Sequence, residues 1–219
     1  MLNNQIVRTS YPVVHLGDKA SVVLGLMEDY EVQHLPIVDD TDYLGLISKE
    51  DLLDADEMTS VAALQEGFLK VSVRAEDFFL SALKLINEHQ LSLIPVLSDK
   101  GELIGIINMT DLLSAINNFL GGEEPGGIIV LEIERRQYSF GEICKLTETN
   151  DAMIMQLNTS VQPDTGNILA TIKINKTEIS DIVATFQRYD YNVKYYFGEE
   201  HFTNELKDNY HHLMNYLNI

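Results

Sequence analysis

The chain has one cysteine, no tryptophan, five prolines and only 15 basic residues against 34 acidic ones in 219 positions. Each shortage excludes something. A single thiol, Cys144, can close no internal disulfide and build no cysteine zinc site. A formal charge of −19 leaves too few Lys and Arg to neutralise a nucleic-acid backbone, and it is repelled by an anionic membrane surface. Neither nucleic acid nor membrane is therefore expected as a partner. No run approaches 18 consecutive apolar residues, and the opening stretch lacks the charged-then-apolar pattern of a secretory signal, so a cytoplasmic location is expected. What is present is an ordinary globular apolar fraction of 45% and length enough for one or two domains. The acid is uneven: residues 1–125 hold 7 basic and 21 acidic side chains, residues 126–219 hold 8 and 13. That asymmetry points to two units.

The first half repeats itself. Residues 34–55 align with 93–115, Pro36 falling on Pro95 at an offset of 59, and Gly45 on Gly105 and Asp51 on Asp111 at an offset of 60. One residue inserted in a turn accounts for the change. Upstream, Asp18, Leu24 and Leu26 fall on Asp77, Leu83 and Leu85.

Each copy predicts the same order of elements. Residues 18–31 and 77–90 carry apolar side chains at helical spacing (Val22, Val23, Leu26, Met27; Ala82, Leu83, Leu85, Ile86). A short apolar run with a proline follows, Leu35 to Val38 or Leu93 to Leu97, and the proline predicts an edge strand or a strand start. A polar turn and a second strand complete a hairpin. Ser48 or Asn108 then caps a further helix through Leu52-Leu53 or Leu112-Leu113. Two such helix–strand–strand–helix units can bury their apolar faces on one another.

The doubled pattern resembles a pair of CBS (cystathionine-β-synthase) domains, the Bateman module. Val7 to Val14 resembles that family's leading segment. Gly45-Leu-Ile-Ser48-Lys-Glu-Asp51 matches its Gly-x-x-Ser/Thr-x-x-Asp motif in full, whereas Gly105-Ile-Ile-Asn108-Met-Thr-Asp111 has Asn at the hydroxyl position. The resemblance implies an adenosine nucleotide, or a related adenosyl compound such as S-adenosylmethionine, in the clefts of the pair. It places Thr9, Leu35, Pro36, Ile37, Ser48, Asp51, Ile94, Pro95, Asn108 and Asp111 at the ligand. A carboxylate such as Asp51 can accept both ribose hydroxyl protons, while Ser48 and the free N–H groups of a helix start can hold a phosphate. Ser48-x-x-Asp51 and Asn108-x-x-Asp111 are equally ordinary helix caps that need no ligand. Residues 39–57 hold eight acids against Lys49, so AMP is expected over ATP unless Lys70, Arg74 or His34 lies close.

Gly121 to Gly127 forms a Gly/Pro linker. Beyond it, strand and helix patterns follow in the order βαββαβ over residues 128–198: Ile129, Leu131 and Ile133 alternate, Phe140, Ile143 and Cys144 share a helix face that extends to Leu146 and Thr147, and Met153, Met155 and Leu157 alternate. The order resembles an ACT domain. Tyr138 stands about where that family's ligand loop has glycine, which favours dimerisation over amino-acid binding. In residues 199–219, Phe202, Leu206, Tyr210, Leu213 and Leu217 predict an amphipathic helix. His201, His211 and His212 are read as solvated rather than as metal ligands.

The expected architecture is α+β: CBS repeats over 1–58 and 59–120, a linker over 121–127, an ACT-like ferredoxin-fold domain over 128–198 and a terminal helix over 199–219. The whole is similar to the acetoin-utilisation type of CBS–ACT regulatory proteins. No nucleophile–base set, phosphate-cradling glycine loop or metal motif occurs. The expected function is a non-enzymatic ligand sensor, homodimeric, acting on a regulated partner protein. The alternative is a dimerising scaffold with empty clefts.

Overall fold

The computed structural model describes residues 1–198. The chain divides into two compact units, Met1–Phe119 and Leu120–Ile219. The helix expected over 199–219 lies outside the described residues.

The first unit holds two copies of one motif. In the first copy β1 (Val14–His15), α1 (Ala20–Asp29), β2 (His34–Asp39), β3 (Asp42–Ser48) and α2 (Lys49–Leu53) follow in order. In the second, β4 (Val73–Arg74), α3 (Leu80–His89), β5 (Leu93–Leu97), β6 (Leu103–Asn108) and α4 (Met109–Phe119) do the same. Val23 and Met27 on α1 and Ala82 and Ile86 on α3 face the core, as three- and four-residue spacing dictates. Val22 is exposed, so the buried stripe is narrower than the spacing implied. One continuous core joins both copies.

The proline strands are not at the edge. β2 lies between β1 and β3, and β5 between β4 and β6. Pro36 is tolerated there because two-residue β1 pairs only with Ile37 and Val38; Pro95 escapes likewise, since β4 pairs only with Val96 and Leu97. The missing N–H never faces a partner strand.

The two copies exchange their leading segments. Asn3 and Asn4 donate their backbone N–H to Asp77 and Ala75 of the second copy, at 2.9 and 3.0 Å. Arg8 then makes a reciprocal backbone pair with Ile106 on β6, at 2.8 and 3.0 Å. In mirror fashion Val61 and Ala62 donate to Asp18 and Leu16 of the first copy, and Leu69 pairs reciprocally with Leu46 on β3, at 2.9 and 3.0 Å. The Tyr43 hydroxyl fastens this second strap by donating to the Val71 carbonyl at 2.8 Å. Each three-stranded sheet therefore has its open edge covered by chain from the other copy, which removes a pairing hazard.

The motif glycines are the crossing points. A Cβ on Gly105 would lie 2.2 Å from the Arg8 carbonyl oxygen, and one on Gly45 would lie 2.9 Å from the Phe68 Cβ.

The second unit runs β7 (Gly127–Ile133), α5 (Phe140–Glu148), β8 (Ile154–Val161), β9 (Ile168–Ile174), α6 (Ser180–Arg188) and β10 (Asn192–Phe197). Its antiparallel sheet has the order β10-β7-β9-β8, the ferredoxin-like arrangement. Ile129, Leu131 and Ile133 from β7, Ala170, Ile172 and Ile174 from β9, and Ile182 and Phe186 from α6 form its core. Two details differ from the sequence pattern. A bulge between Ile154 and Gln156 breaks the alternation of β8, so Met153 and Met155 are exposed while Ile154 and Leu157 pack on the core. On α5 Ile143, Leu146 and Thr147 are buried as the helix face implies, but Phe140 is exposed and Cys144 only half-buried.

Candidate functional site

The two motifs occupy equivalent strand-to-helix junctions, at the ends of β3 and β6. In the first, Ser48 is the N-cap of α2. The Asp51 N–H donates to Ser48 Oγ at 3.1 Å, the Ser48 hydroxyl donates to Asp51 Oδ2 at 2.5 Å, and the Ser48 N–H donates to the same oxygen at 3.3 Å. This is a reciprocal capping box with Asp in the third position, worth about 1 kcal/mol to the helix. The box holds the carboxylate in one place while Asp51 remains exposed. Because α2 has only five residues, its dipole is short, and a phosphate there would depend mainly on side chains and the first amides.

In the second motif, Asn108 Oδ1 accepts the Asp111 N–H at 2.8 Å, so the asparagine caps α4 as serine caps α2. The carboxylate differs. Both oxygens of Asp111 are engaged by Arg8: Nη2 donates to Oδ1 at 2.8 Å, and Nε donates to Oδ2. The strap over this motif presents Arg8, whereas the corresponding strap position over the first motif is Leu69. The sequence carries no signal for this pair, since 103 residues separate its members and the exchange of straps brings them together.

A cavity of about 250 Å³ adjoins the first motif, lined by Gln33, His34, Ser48, Lys49, Glu50 and His89 among others. His34 was a candidate phosphate partner in the sequence, and it does stand beside this motif. Its Nδ1 accepts the Ser92 N–H at 3.3 Å, and Ser92 Oγ accepts the backbone N–H of Gln33 and His34, each at 3.1 Å. The ring is thus held neutral with its proton on Nε2. Burial lowers its proton affinity below the ordinary imidazole value of 6.5; the Asp51 and Glu50 carboxylates pull weakly the other way. The folded state therefore binds fewer protons here than the unfolded state does. The stability this contributes is complete above pH 6.5 and is lost as pH falls through that value towards the lower native one. Denaturant midpoints measured at about pH 5 and about pH 7.5 should fall further for the wild type than for His34→Gln, which keeps an acceptor and cannot titrate.

The acidic cluster is split. Asp42 opens β3 and Ser48 closes it, so Asp39, Asp40 and Asp42 stand at the hairpin turn, about 20 Å from the motif and beyond the ~10 Å screening length. Only Glu50 and Asp51 stand in the first turn of α2 at the motif itself, whereas the chain at Glu57 has reached the start of α1, its carbonyl accepting the Ser21 N–H at 3.1 Å. The charge opposing a phosphate is smaller than the sequence implied, and its sign is unchanged.

The remaining candidates separate. Leu35 and Ile37 on β2 and Ile94 on β5 are fully buried, and Pro36 and Pro95 are buried beside them, so their side chains are sealed in the core and only backbone is left for a ligand. Thr9 is exposed and follows Arg8 on the strap over β6, which puts it at the second motif rather than the first. A cavity of about 380 Å³ adjoins Arg8, Asp111 and Ser114. Among the described residues, no group of three or more His, Cys, Asp or Glu could hold a metal ion.

The family model for the CBS domain matches residues 4–57 and 70–118. The first unit is a CBS-domain pair. Inosine-5′-monophosphate dehydrogenase of Methanocaldococcus jannaschii is 28% identical over 115 residues, 50% of this chain and 22% of that protein. The Halobacterium salinarum enzyme is 29% identical over 91 residues, 40% of this chain and 18% of that protein. The chain thus spans about a fifth of the length of these relatives. A solved CBS domain pair/ACT domain protein from Thermotoga maritima superposes with a TM-score of 0.51 at 29% identity, covering 55% of this chain and 99% of that one. Among the described residues, no helix is long and apolar enough to cross a membrane.

Beyond the CBS pair, the ACT-like unit has a cavity of about 470 Å³ at the β7–α5 end, where Glu132, Glu134, Glu142 and Asp190 converge. Tyr191 donates to Glu142 Oε2 at 2.9 Å, and Lys194 and Asn167 hold Glu132, each at 3.2 Å. Those partners keep the Glu132 carboxyl below the usual range. Tyr138 packs against the core of this unit from the β7–α5 loop. An amino-acid carboxylate entering here would meet four acids.

Proposed function

We propose that this chain is a non-enzymatic regulator that binds an adenosine nucleotide, AMP in preference to ATP, in the clefts of its CBS pair. Binding would shift the arrangement of the pair and pass that shift to the ACT-like unit or to a regulated partner protein. One observation carries the reading: the first motif is built complete, with Ser48 and Asp51 locked in a reciprocal box that holds an exposed carboxylate in one place, Ser48 itself lining the adjoining cavity. A ribose with two vicinal hydroxyls suits such a carboxylate. Glu50, in the first turn of α2 beside Asp51, disfavours a triphosphate at the same end. The mechanism needs unequal affinity for two arrangements of the pair, because a ligand shifts only what it binds unequally. The dehydrogenases' catalysis is not transferred, since the stretch shared with them is a fifth of their length.

A homodimer belongs to the same proposal. Leu53 and Leu113 stand at equivalent positions of α2 and α4, 63% and 60% exposed, and a second copy would cover both. The scaffold alternative draws support from Asp111, whose carboxylate is already satisfied by Arg8. Native mass spectrometry of the protein as purified separates the two. A dimer carrying an adenosyl mass, or acquiring one on addition of AMP, supports the sensor; a dimer that stays bare in excess AMP supports the scaffold.

A further inference from the structure

We infer that Arg8 sets what the second cleft accepts: an adenosine compound that brings a phosphate, in preference to one with a neutral or cationic tail. The inference rests on the adenosine-binding reading above and deepens it.

Arg8 is delivered to the cleft by backbone. Its N–H and C=O are pinned to Ile106 at 2.8 and 3.0 Å, and Gly105 beside that pair leaves room for the strap. The guanidinium forks onto both oxygens of Asp111, the position at which the motif offers its carboxylate to a ribose. Ribose hydroxyls that approach both oxygens compete there with the guanidinium N–H donors. The exchange is open, because the Arg8 side chain is 53% exposed and its pair is screened by water, whereas the Asp111 side chain is only 21% exposed.

The displaced guanidinium keeps its charge and its planar fork. A phosphate on the incoming ligand gives it a new bidentate partner, so one charge pair is traded for another. The 11-residue α4 starts at the same place, with the Asp111 N–H already taken by Asn108, and the positive end of its dipole adds to the charge of Arg8. Adenosine offers no such exchange and leaves Arg8 without a partner. S-adenosylmethionine adds a sulfonium to the same space. The first cleft has Leu69 at the corresponding strap position and so has no guanidinium there. The two clefts of one chain therefore differ in what they demand of the ligand's tail.

The test uses the full chain with Asp51→Ala silencing the first cleft, titrated calorimetrically with AMP, adenosine and S-adenosylmethionine. AMP should bind more tightly than the other two. Adding Arg8→Gln should weaken AMP by about fivefold while adenosine holds or tightens, because Asp111 is then free. Arg8→Lys, which keeps the charge and loses the fork, should restore only part of the preference. An unchanged denaturation midpoint for Arg8→Gln shows that the strap is still seated. The inference is overturned if Arg8→Gln tightens AMP and adenosine alike, which makes Arg8 a plain plug, or if the AMP-to-adenosine ratio does not move. It is also overturned if the Asp51→Ala chain binds nothing while the wild type binds AMP, a result that leaves the adenosine reading standing on the first cleft. If the wild type binds no adenosyl compound, that reading falls as well.

Discussion

Gly105→Ala should destabilise the CBS pair by about 1–3 kcal/mol, visible as a lower denaturant midpoint of the full chain. The added methyl would lie 2.2 Å from the Arg8 carbonyl oxygen and 2.9 Å from Val7 Cγ2, so the strap must move off β6. The reciprocal Arg8–Ile106 pair goes with it, and so does the delivery of Arg8 to Asp111. Gly25→Ala is the control. Gly25 lies inside α1 with nothing within 4 Å of a built Cβ, and the same substitution there should stabilise by about 0.5–1 kcal/mol through helix propensity. One chemical change with opposite signs at two sites separates close approach from backbone freedom. Equal, small effects at both would mean that the strap does not seat on Gly105.

That experiment also marks where the sequence was readable. The 59–60-residue offset aligned every element of the two copies, and the polar residue at each strand end identified both caps, because spacing and capping are local properties. The exchange of leading segments was not legible. A repeat offset says which residues correspond, and it is silent on whether residues 2–8 lie on their own copy or on the other. Neither the motif that Thr9 accompanies nor the pairing of Arg8 with Asp111 is legible without that exchange. The prolines misled for a related reason: the rule that sends Pro36 to an edge assumes a full-length neighbouring strand, and β1 is two residues long. In the ACT-like unit, alternation located β7 and β9, but the bulge in β8 inverted the faces of its first residues, a shift that only a partner strand reveals. Charge misled through distance, since neighbours in sequence between Asp39 and Asp51 stand at opposite ends of one strand.

Asp51→Ala should weaken adenosine-nucleotide binding at the first cleft by on the order of 10- to 100-fold, the loss of one or two hydrogen bonds to a charged acceptor. It should also take away half of the capping box, because Asp51 Oδ2 accepts from both the Ser48 hydroxyl and the Ser48 N–H. Asp51→Asn separates the two effects. The amide keeps an acceptor for the Ser48 N–H, so helix stability should recover, while the neutral oxygen is a poorer acceptor for two ribose hydroxyls and affinity should stay reduced. Parallel recovery of stability and affinity would assign Asp51 to capping alone.

Adenosine-nucleotide binding in the CBS clefts is tested most directly by a calorimetric titration of AMP into the full chain and into its Asp51→Ala variant. It predicts saturable binding to the wild type and the loss of one binding phase in the variant. No heat with AMP, ADP, ATP or S-adenosylmethionine, or an identical isotherm for the two chains, would contradict it.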